Sequence, residues 1–304
     1  GFIYGTVYHI VYESPDGSDL HGQIREELDR LNSIFSTFDT SSVISRINSN
    51  RPVEPGPEFL FCFKRAMEIS GITGGAFDIT AGSMVNAWGF GPEERKRMTP
   101  GIIDSLKQIT GYKKITIKDG EIIKELPEIK IDMSAIAKGY TCDIIGGWLN
   151  DEGCENYMVE VGGEVVAKGR NEKGRIWTIG ISRPDESSFL ATTELQARVR
   201  LPEKALATSG NYRNYYVEDG KKFAHTIDPK TGYPVQHSLL SATVLASDCI
   251  DADAFATAFM VLGLEESVKI SREIPGIDVY FIYSDEEGKT EVYMSENFKQ
   301  LLAE

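Results

Sequence analysis

The sequence predicts an α+β fold, and three observations point to it. Apolar residues recur at helical spacing in the first half of the chain. Short β-branched and aromatic segments crowd the region after residue 155, and nothing like a parallel doubly wound alternation runs through it. Hydrophobic residues fill 41% of the 304 positions, with no low-complexity run and no fixed-period repeat, so an ordinary globular core is expected. The reading is a single domain over 1–304. No Pro/Gly/Ser-rich linker marks a boundary, and any subdivision near residue 155 would be compact.

Residues 2–12 alternate as a strand does. After the Pro15-Asp-Gly17 turn, Leu20, Ile24, Leu28, Leu31 and Phe35 fall on one helical face. A second helix is expected from about Glu58 to Ile72, burying Phe59, Phe63 and Met67 and stopping at Thr73-Gly-Gly75, where glycine accepts the angles that end a helix. The stretch from Gly91 to Gly101, with its Glu-Glu-Arg-Lys-Arg run, reads as a solvated excursion before another short helix. Ile136, Tyr140, Ile144 and Trp148 space a third strong helix that ends near Glu152-Gly153. Strands are then expected at Tyr157–Val161, Val165–Lys168, Trp177–Ser182, Glu194–Arg200, Tyr212–Val217, Phe223–Ile227 and Leu240–Ala246. A helix from about Ile250 to Leu262, another near Glu265–Ile274 and a hairpin around Asp285 close the pattern.

The formal charge of −14 repels phosphate backbones and argues against a nucleic-acid partner; an anionic nucleotide would need a metal or local Lys and Arg to reverse the field. Cys62, Cys142, Cys154 and Cys249 form no CxxC pair, which argues against a zinc cluster or a thioredoxin-like site and leaves them as small core residues. No stretch reaches the ~18 apolar residues of a spanning helix. The chain begins Gly1-Phe-Ile-Tyr4 without Met, and removal of an upstream targeting segment is the expectation.

Asp253 and Thr257 sit four residues apart, so a helix places a carboxylate and a hydroxyl on one face, one turn apart. Two hard oxygens suit Mg²⁺, which shares its sphere with substrate phosphates; the same pair also suits capping or a solvated face. Gly74-Gly-Ala-Phe-Asp78 is either a turn that exposes backbone N–H groups to a ligand or a plain helix stop. Ile131-Asp-Met-Ser-Ala-Ile-Ala-Lys-Gly139 passes from a strand end into a helix, where free N–H groups and Lys138 attract anions and where Asp132 can also cap. Glu160-Val-Gly-Gly-Glu164 reads as a tight hairpin, and Ala207-Thr-Ser-Gly-Asn-Tyr-Arg213 as a turn able to admit a ring or phosphate. His225, before a rigid Asp-Pro turn, is either a general base or a hydrogen-bonded structural residue.

In this order, Ser36-Thr-Phe-Asp39, Ser42-Val-Ile-Ser-Arg-Ile-Asn48, Gly75-Ala-Phe-Asp78, Asp132, Ala137-Lys-Gly-Tyr140, Val161-Gly-Gly-Glu164, Thr208-Ser-Gly-Asn-Tyr-Arg213, His225-Thr-Ile-Asp-Pro229, Thr231-Gly-Tyr-Pro234 and Asp251-Ala-Asp-Ala-Phe-Ala-Thr257 resemble the ApbE family of FAD:protein FMN transferases. The resemblance runs from about Tyr4 to the final hairpin and implies a T-fold-like antiparallel core with flanking helices. It also implies Mg²⁺ held by Asp253, Thr257 and the Ala135 carbonyl. FAD would be lined by Tyr4, Phe38, Ala76, Phe77, Asp78, Asp132, Lys138 and Ile227, with Gly162, Gly163, Ser209 and Gly210 as loop contacts and His225 as base. Phe38 stands where several relatives carry Tyr, so a hydroxyl is missing at that position. The implied reaction moves FMN onto a threonine of an acceptor protein, a subunit of a redox or ion-transporting membrane complex, and releases AMP. A Mg²⁺-dependent FAD pyrophosphatase and a non-catalytic flavin-binding protein are the alternatives. The family setting implies export to the periplasmic side of the inner membrane with a lipid anchor.

Overall fold

A computed structural model describes every residue except 92–93, 185–193, 212–214, 219–220 and 304. The chain forms two compact units that interleave in sequence. One comprises Gly1–Asp29, Lys138–Arg213 and His237–Glu304; the other comprises Arg30–Ala137 and Asn214–Gln236.

The first unit is organised by an eight-stranded antiparallel sheet among the described residues. Its strands are β1 (Phe2–Ile3), β2 (Thr6–Tyr12), β5 (Tyr157–Val161), β6 (Glu164–Lys168), β9 (Lys204–Gly210), β12 (Leu239–Ala246), β13 (Asp278–Ser284) and β14 (Thr290–Met294), and they lie in that order across the sheet. A separate hairpin pairs β7 (Thr178–Ser182) with β8 (Leu195–Arg200). Two layers cover the sheet. On one face Leu20, which precedes α1 (His21–Phe35), Ile24 and Leu28 of α1, and Cys142, Ile145 and Leu149 of α6 (Ala137–Asp151) pack with Val159 and Val161 of β5. A second cluster joins Val165, Ala167, Leu206, Leu245, Tyr280 and Ile282 of the sheet to Ile181 and Val199 of the hairpin and Phe298 of α9 (Glu296–Gln300).

Strand β12 is buried at seven of its eight residues, and α7 (Cys249–Leu262), which follows it, packs across β6, β9 and β12. Phe255 and Phe259 of α7 are fully buried, each contributing about 2–3 kcal/mol of burial. α8 (Leu264–Glu273) packs on β13.

The second unit holds α2 (Val43–Asn48), α3 (Gly56–Ile72), α4 (Gly82–Ala87) and α5 (Pro100–Gln108), together with the hairpins β3 (Ile115–Lys118) with β4 (Glu121–Lys124) and β10 (Tyr215–Glu218) with β11 (Lys221–Ala224). Met84, Trp88, Ile103, Leu106 and Ile227 form one of its apolar clusters.

The expected α+β class, the strong helices and most of the strand positions appear as read. The helices α2 and α4 and the β3–β4 hairpin have no counterpart in the expectations, and one expected turn is a strand. Ala207-Thr-Ser-Gly210, read as a turn, completes β9, which pairs with β6 on one side and β12 on the other. Its small residues allow the close approach of α7. Tyr212 and Arg213 of that reading lie outside the described residues. All four cysteines are buried and unbridged.

Candidate active site

Helix α7 is apolar almost all round, yet it carries Asp253 in its interior face at 2% exposure. Three features of the first unit fix that carboxylate. Asp248 precedes the helix without a side-chain cap; instead Asp143 of α6 accepts hydrogen bonds from the N–H groups of Cys249 at 2.7 Å and Ile250 at 2.8 Å, satisfying two of the donors a helix start leaves open. Gly139 of α6 lets the helices touch, since a Cβ there would stand 2.2 Å from the Cys249 carbonyl oxygen. With that space free, the Gly139 N–H donates to Asp253 Oδ2 at 3.1 Å.

The Lys138 ammonium lies between two carboxylates. It is 3.1 Å from Glu164 Oε1, 3.4 Å from Asp253 Oδ2 and 3.5 Å from Asp253 Oδ1. Burial alone would lower the Lys138 pKa, but the charges of Asp253 and Glu164 outweigh it and hold the amine above its ordinary value. Burial raises the Asp253 carboxyl against the pull of Lys138, and it pushes Glu164 up to about 8. These shifts point in opposite senses: the lysine favours the ion pair, while each acid is drawn towards neutrality. The geometry supports a charged ammonium that balances one carboxylate, with burial penalising the second.

Thr257 follows one turn after Asp253, and its Oγ1 is 3.3 Å from Ser209 Oγ at the end of β9. Asp253 and Thr257 therefore share a helix face as hard oxygen donors, and this donor chemistry fits Mg²⁺. Among the described residues no three His, Cys, Asp or Glu side chains form a metal cluster, so an ion on this pair would complete its sphere from other oxygens. Gly162 and Gly163 make the two-residue turn between β5 and β6 with φ of 66° and 104°, angles that glycine adopts without strain. Tyr4, in a left-handed turn with φ 51°, sets its hydroxyl 3.2 Å from Thr141 Oγ1. Gly210 closes β9 opposite Ser241.

The second unit carries the remaining predicted residues. Asp78 Oδ1 accepts from the Thr80 N–H at 2.8 Å and hydroxyl at 2.6 Å, and Oδ2 accepts from the Tyr112 N–H at 2.8 Å. Burial nevertheless raises its pKa. Asp132 Oδ1 accepts from the Ser134 N–H at 2.8 Å, five residues before α6 begins, so it forms a local turn rather than the cap of that helix. Ala135 lies in the turn that follows. Ala76, Phe77 and Ile227 are buried, and Phe38 is 65% exposed. His225, half-buried, meets the Phe90 ring edge-on at 6.3 Å.

The structure thus brings Lys138, Asp253, Thr257, Ser209 and the Gly162–Gly163 turn together within the first unit. Sequence reasoning assigned no role to Glu164 or Asp143. The Gly-Gly-Glu run placed Glu164 beside a turn, but only the fold shows that it faces Lys138. Asp143 stands four residues after Gly139 on the same helical face, and that spacing was its one legible signal.

The fold and this arrangement define an α+β class of protein: an antiparallel sheet crossed by a buried helix that carries a carboxylate and a hydroxyl one turn apart. The model of the ApbE family matches residues 4–281. The FAD:protein FMN transferase of Vibrio cholerae is 38% identical over 98% of this chain and 90% of its own length, and that of Escherichia coli is 35% identical over 94% and 82%. The solved structure of the flavin transferase ApbE from Vibrio cholerae superposes with a TM-score of 0.89 at 36% identity, covering 99% of this chain and 97% of that one. The ApbE protein of Thermotoga maritima gives a TM-score of 0.85 at 31% identity, covering 100% and 98%. The chain belongs to the ApbE family.

Proposed function

We propose that this chain moves FMN from FAD onto a threonine hydroxyl of an acceptor protein and releases AMP. The observation that carries the reading is Asp253, buried in α7 with Thr257 one turn on, in a chain whose relatives are named FAD:protein FMN transferases. A protein of charge −14 needs local positive charge to receive a diphosphate. The Lys138 ammonium is already balanced by Asp253 and Glu164, so the charge would come from Mg²⁺ held by Asp253 and Thr257, with the Ala135 carbonyl as the third donor that the family resemblance assigns. When bound, the ion would neutralise the diphosphate and polarise the phosphorus next to the flavin.

In the first unit, Tyr4, Lys138, Gly162, Gly163, Ser209 and Gly210 are the candidates for contact with the flavin dinucleotide. In the second they are Phe38, Ala76, Phe77, Asp78, Asp132 and Ile227, with His225 as the candidate base. The threonine oxygen forms a bond to the flavin-side phosphorus, the bond from that phosphorus to the AMP oxygen breaks, and the hydroxyl proton passes to the base. Little covalent chemistry is asked of the protein, so positioning carries most of the rate. Family resemblance supports an exported, lipid-anchored setting facing a membrane redox or ion-transporting acceptor.

Incubation with FAD, Mg²⁺ and a threonine-bearing acceptor, followed by mass spectrometry, tests the reading. Added FMN on the acceptor with matching AMP is expected; AMP without modified acceptor overturns transfer in favour of hydrolysis.

A further inference from the structure

We propose that Glu164 is a positioning residue for the cation: it draws the Lys138 ammonium off Asp253 so that the carboxylate can accept a metal ion. This inference rests on the metal reading of Asp253 given above. Asp253 is almost fully buried, and a buried carboxylate without a counter-charge is strongly unfavourable, so a metal-free protein needs an ammonium there. Lys138 provides it, but at 3.4 and 3.5 Å, longer than a well-formed charge-assisted bond. A divalent ion on Asp253 would then meet a positive charge in the same small volume. Either the ammonium leaves or the ion binds weakly.

Glu164 gives the ammonium a destination. It already holds Lys138 at 3.1 Å through Oε1. Its second oxygen, Oε2, is buried and has no hydrogen-bond partner among the described residues. An orphaned buried carboxylate oxygen is costly, and it marks unused acceptor capacity on the side to which the ammonium would move. The route is open because residue 162 is glycine. A Cβ there would stand 3.2 Å from Glu164 Oε2, 3.2 Å from Lys138 Cδ and 2.9 Å from Thr6 Cγ2, crowding the lysine stem and its acceptor together. Lys138 therefore acts as a resident cation that a metal displaces, with Glu164 as its second berth.

Removing the charge at 164 leaves Asp253 as the only carboxylate of this pair for the ammonium, which then competes with metal. The test is a Mn²⁺ titration of the full chain, read from the EPR signal of the free ion, with thermal melts to confirm folding. For Glu164→Gln the expected result is Mn²⁺ affinity roughly 10- to 100-fold below that of the unsubstituted protein, the range for residues that orient metal ligands. In the double variant Lys138→Met with Glu164→Gln the competing ammonium is gone, and affinity is expected to return to within about threefold of the starting value, a non-additive pattern that simple loss of packing would not give.

Unchanged Mn²⁺ affinity in Glu164→Gln overturns the inference while leaving the metal reading intact. A double variant no better than Glu164→Gln alone also overturns it, because the loss would then not act through Lys138. If the unsubstituted protein and Asp253→Asn take up Mn²⁺ equally, or neither does, the metal reading itself falls and the inference falls with it.

Discussion

Gly139→Ala isolates the contact on which the site is built. The added Cβ would lie 2.2 Å from the Cys249 carbonyl oxygen, 2.6 Å from its carbon and 2.9 Å from Asp253 Cβ. These are backbone atoms and the first atom of a side chain, so no rotamer can clear the space. Ordinary contact begins near 3.4 Å, and α6 and α7 must therefore part by about 1 Å. Overpacking of this kind costs about 1–3 kcal/mol, and here the rigid obstacle places it near the upper end. Weakening the Gly139 N–H bond to buried Asp253 adds roughly 1–2 kcal/mol, and the better helix propensity of alanine returns about 1 kcal/mol.

The net expectation is a loss of about 3 kcal/mol. Gly147, on the same helix, has nothing within 4 Å of a built Cβ, so Gly147→Ala is the matched control and should gain about 0.5–1 kcal/mol. Urea unfolding followed by tryptophan fluorescence should move the Gly139→Ala midpoint down by roughly 1 M and the Gly147→Ala midpoint slightly up. AMP release from FAD should fall at least tenfold in the first variant only, because Asp253 is carried along with α7. Equal midpoints, or a stable Gly139→Ala protein with full turnover, would refute the claim that this glycine sets the approach of the two helices.

Asp253→Asn should reduce turnover by about 10²-fold or more, since a cation contributes several kcal/mol of charge stabilisation to phosphoryl transfer; undiminished AMP release measured by chromatography would remove the metal role. Thr257→Val should impair turnover while Thr257→Ser retains most of it, because only the hydroxyl is asked to bind; equal rates in the two would assign Thr257 to packing. Burial pushes Asp143 up to about 7 from 3.8, against the pull of the Cys249 and Ile250 N–H groups. Its folded pKa is thus raised, so the stability it confers is fully present below pH 4 and is lost as pH rises through 7. Urea midpoints of the unsubstituted protein should therefore fall relative to Asp143→Asn between pH 4 and 7, and parallel pH profiles for the two would contradict that assignment.

How much of this was legible in the sequence depends on whether a residue's role is local. The spacing of Leu20, Ile24 and Leu28 marked α1 because a periodic apolar stripe is itself a local signal. The same holds for the Gly162–Gly163 turn, whose positive φ values follow from two adjacent glycines. The hairpin from Ile115 to Lys124 also carries a local signal, Asp119-Gly120 between two short isoleucine-containing tetrapeptides, with φ of 52° and 81° at the turn.

Strand β9 was hidden for a different reason. Thr208-Ser-Gly210 has turn chemistry, but pairing to β6 and β12 beneath α7 decides the conformation, and that burial is a property of distant segments. The site follows the same rule. Asp253 and Thr257 could be paired from their spacing on one helix, whereas Glu164 and Asp143 act across 26 and 106 residues or more, on Lys138 and on the start of α7. A carboxylate that works on a partner so far away in the chain leaves no periodicity for the sequence to display.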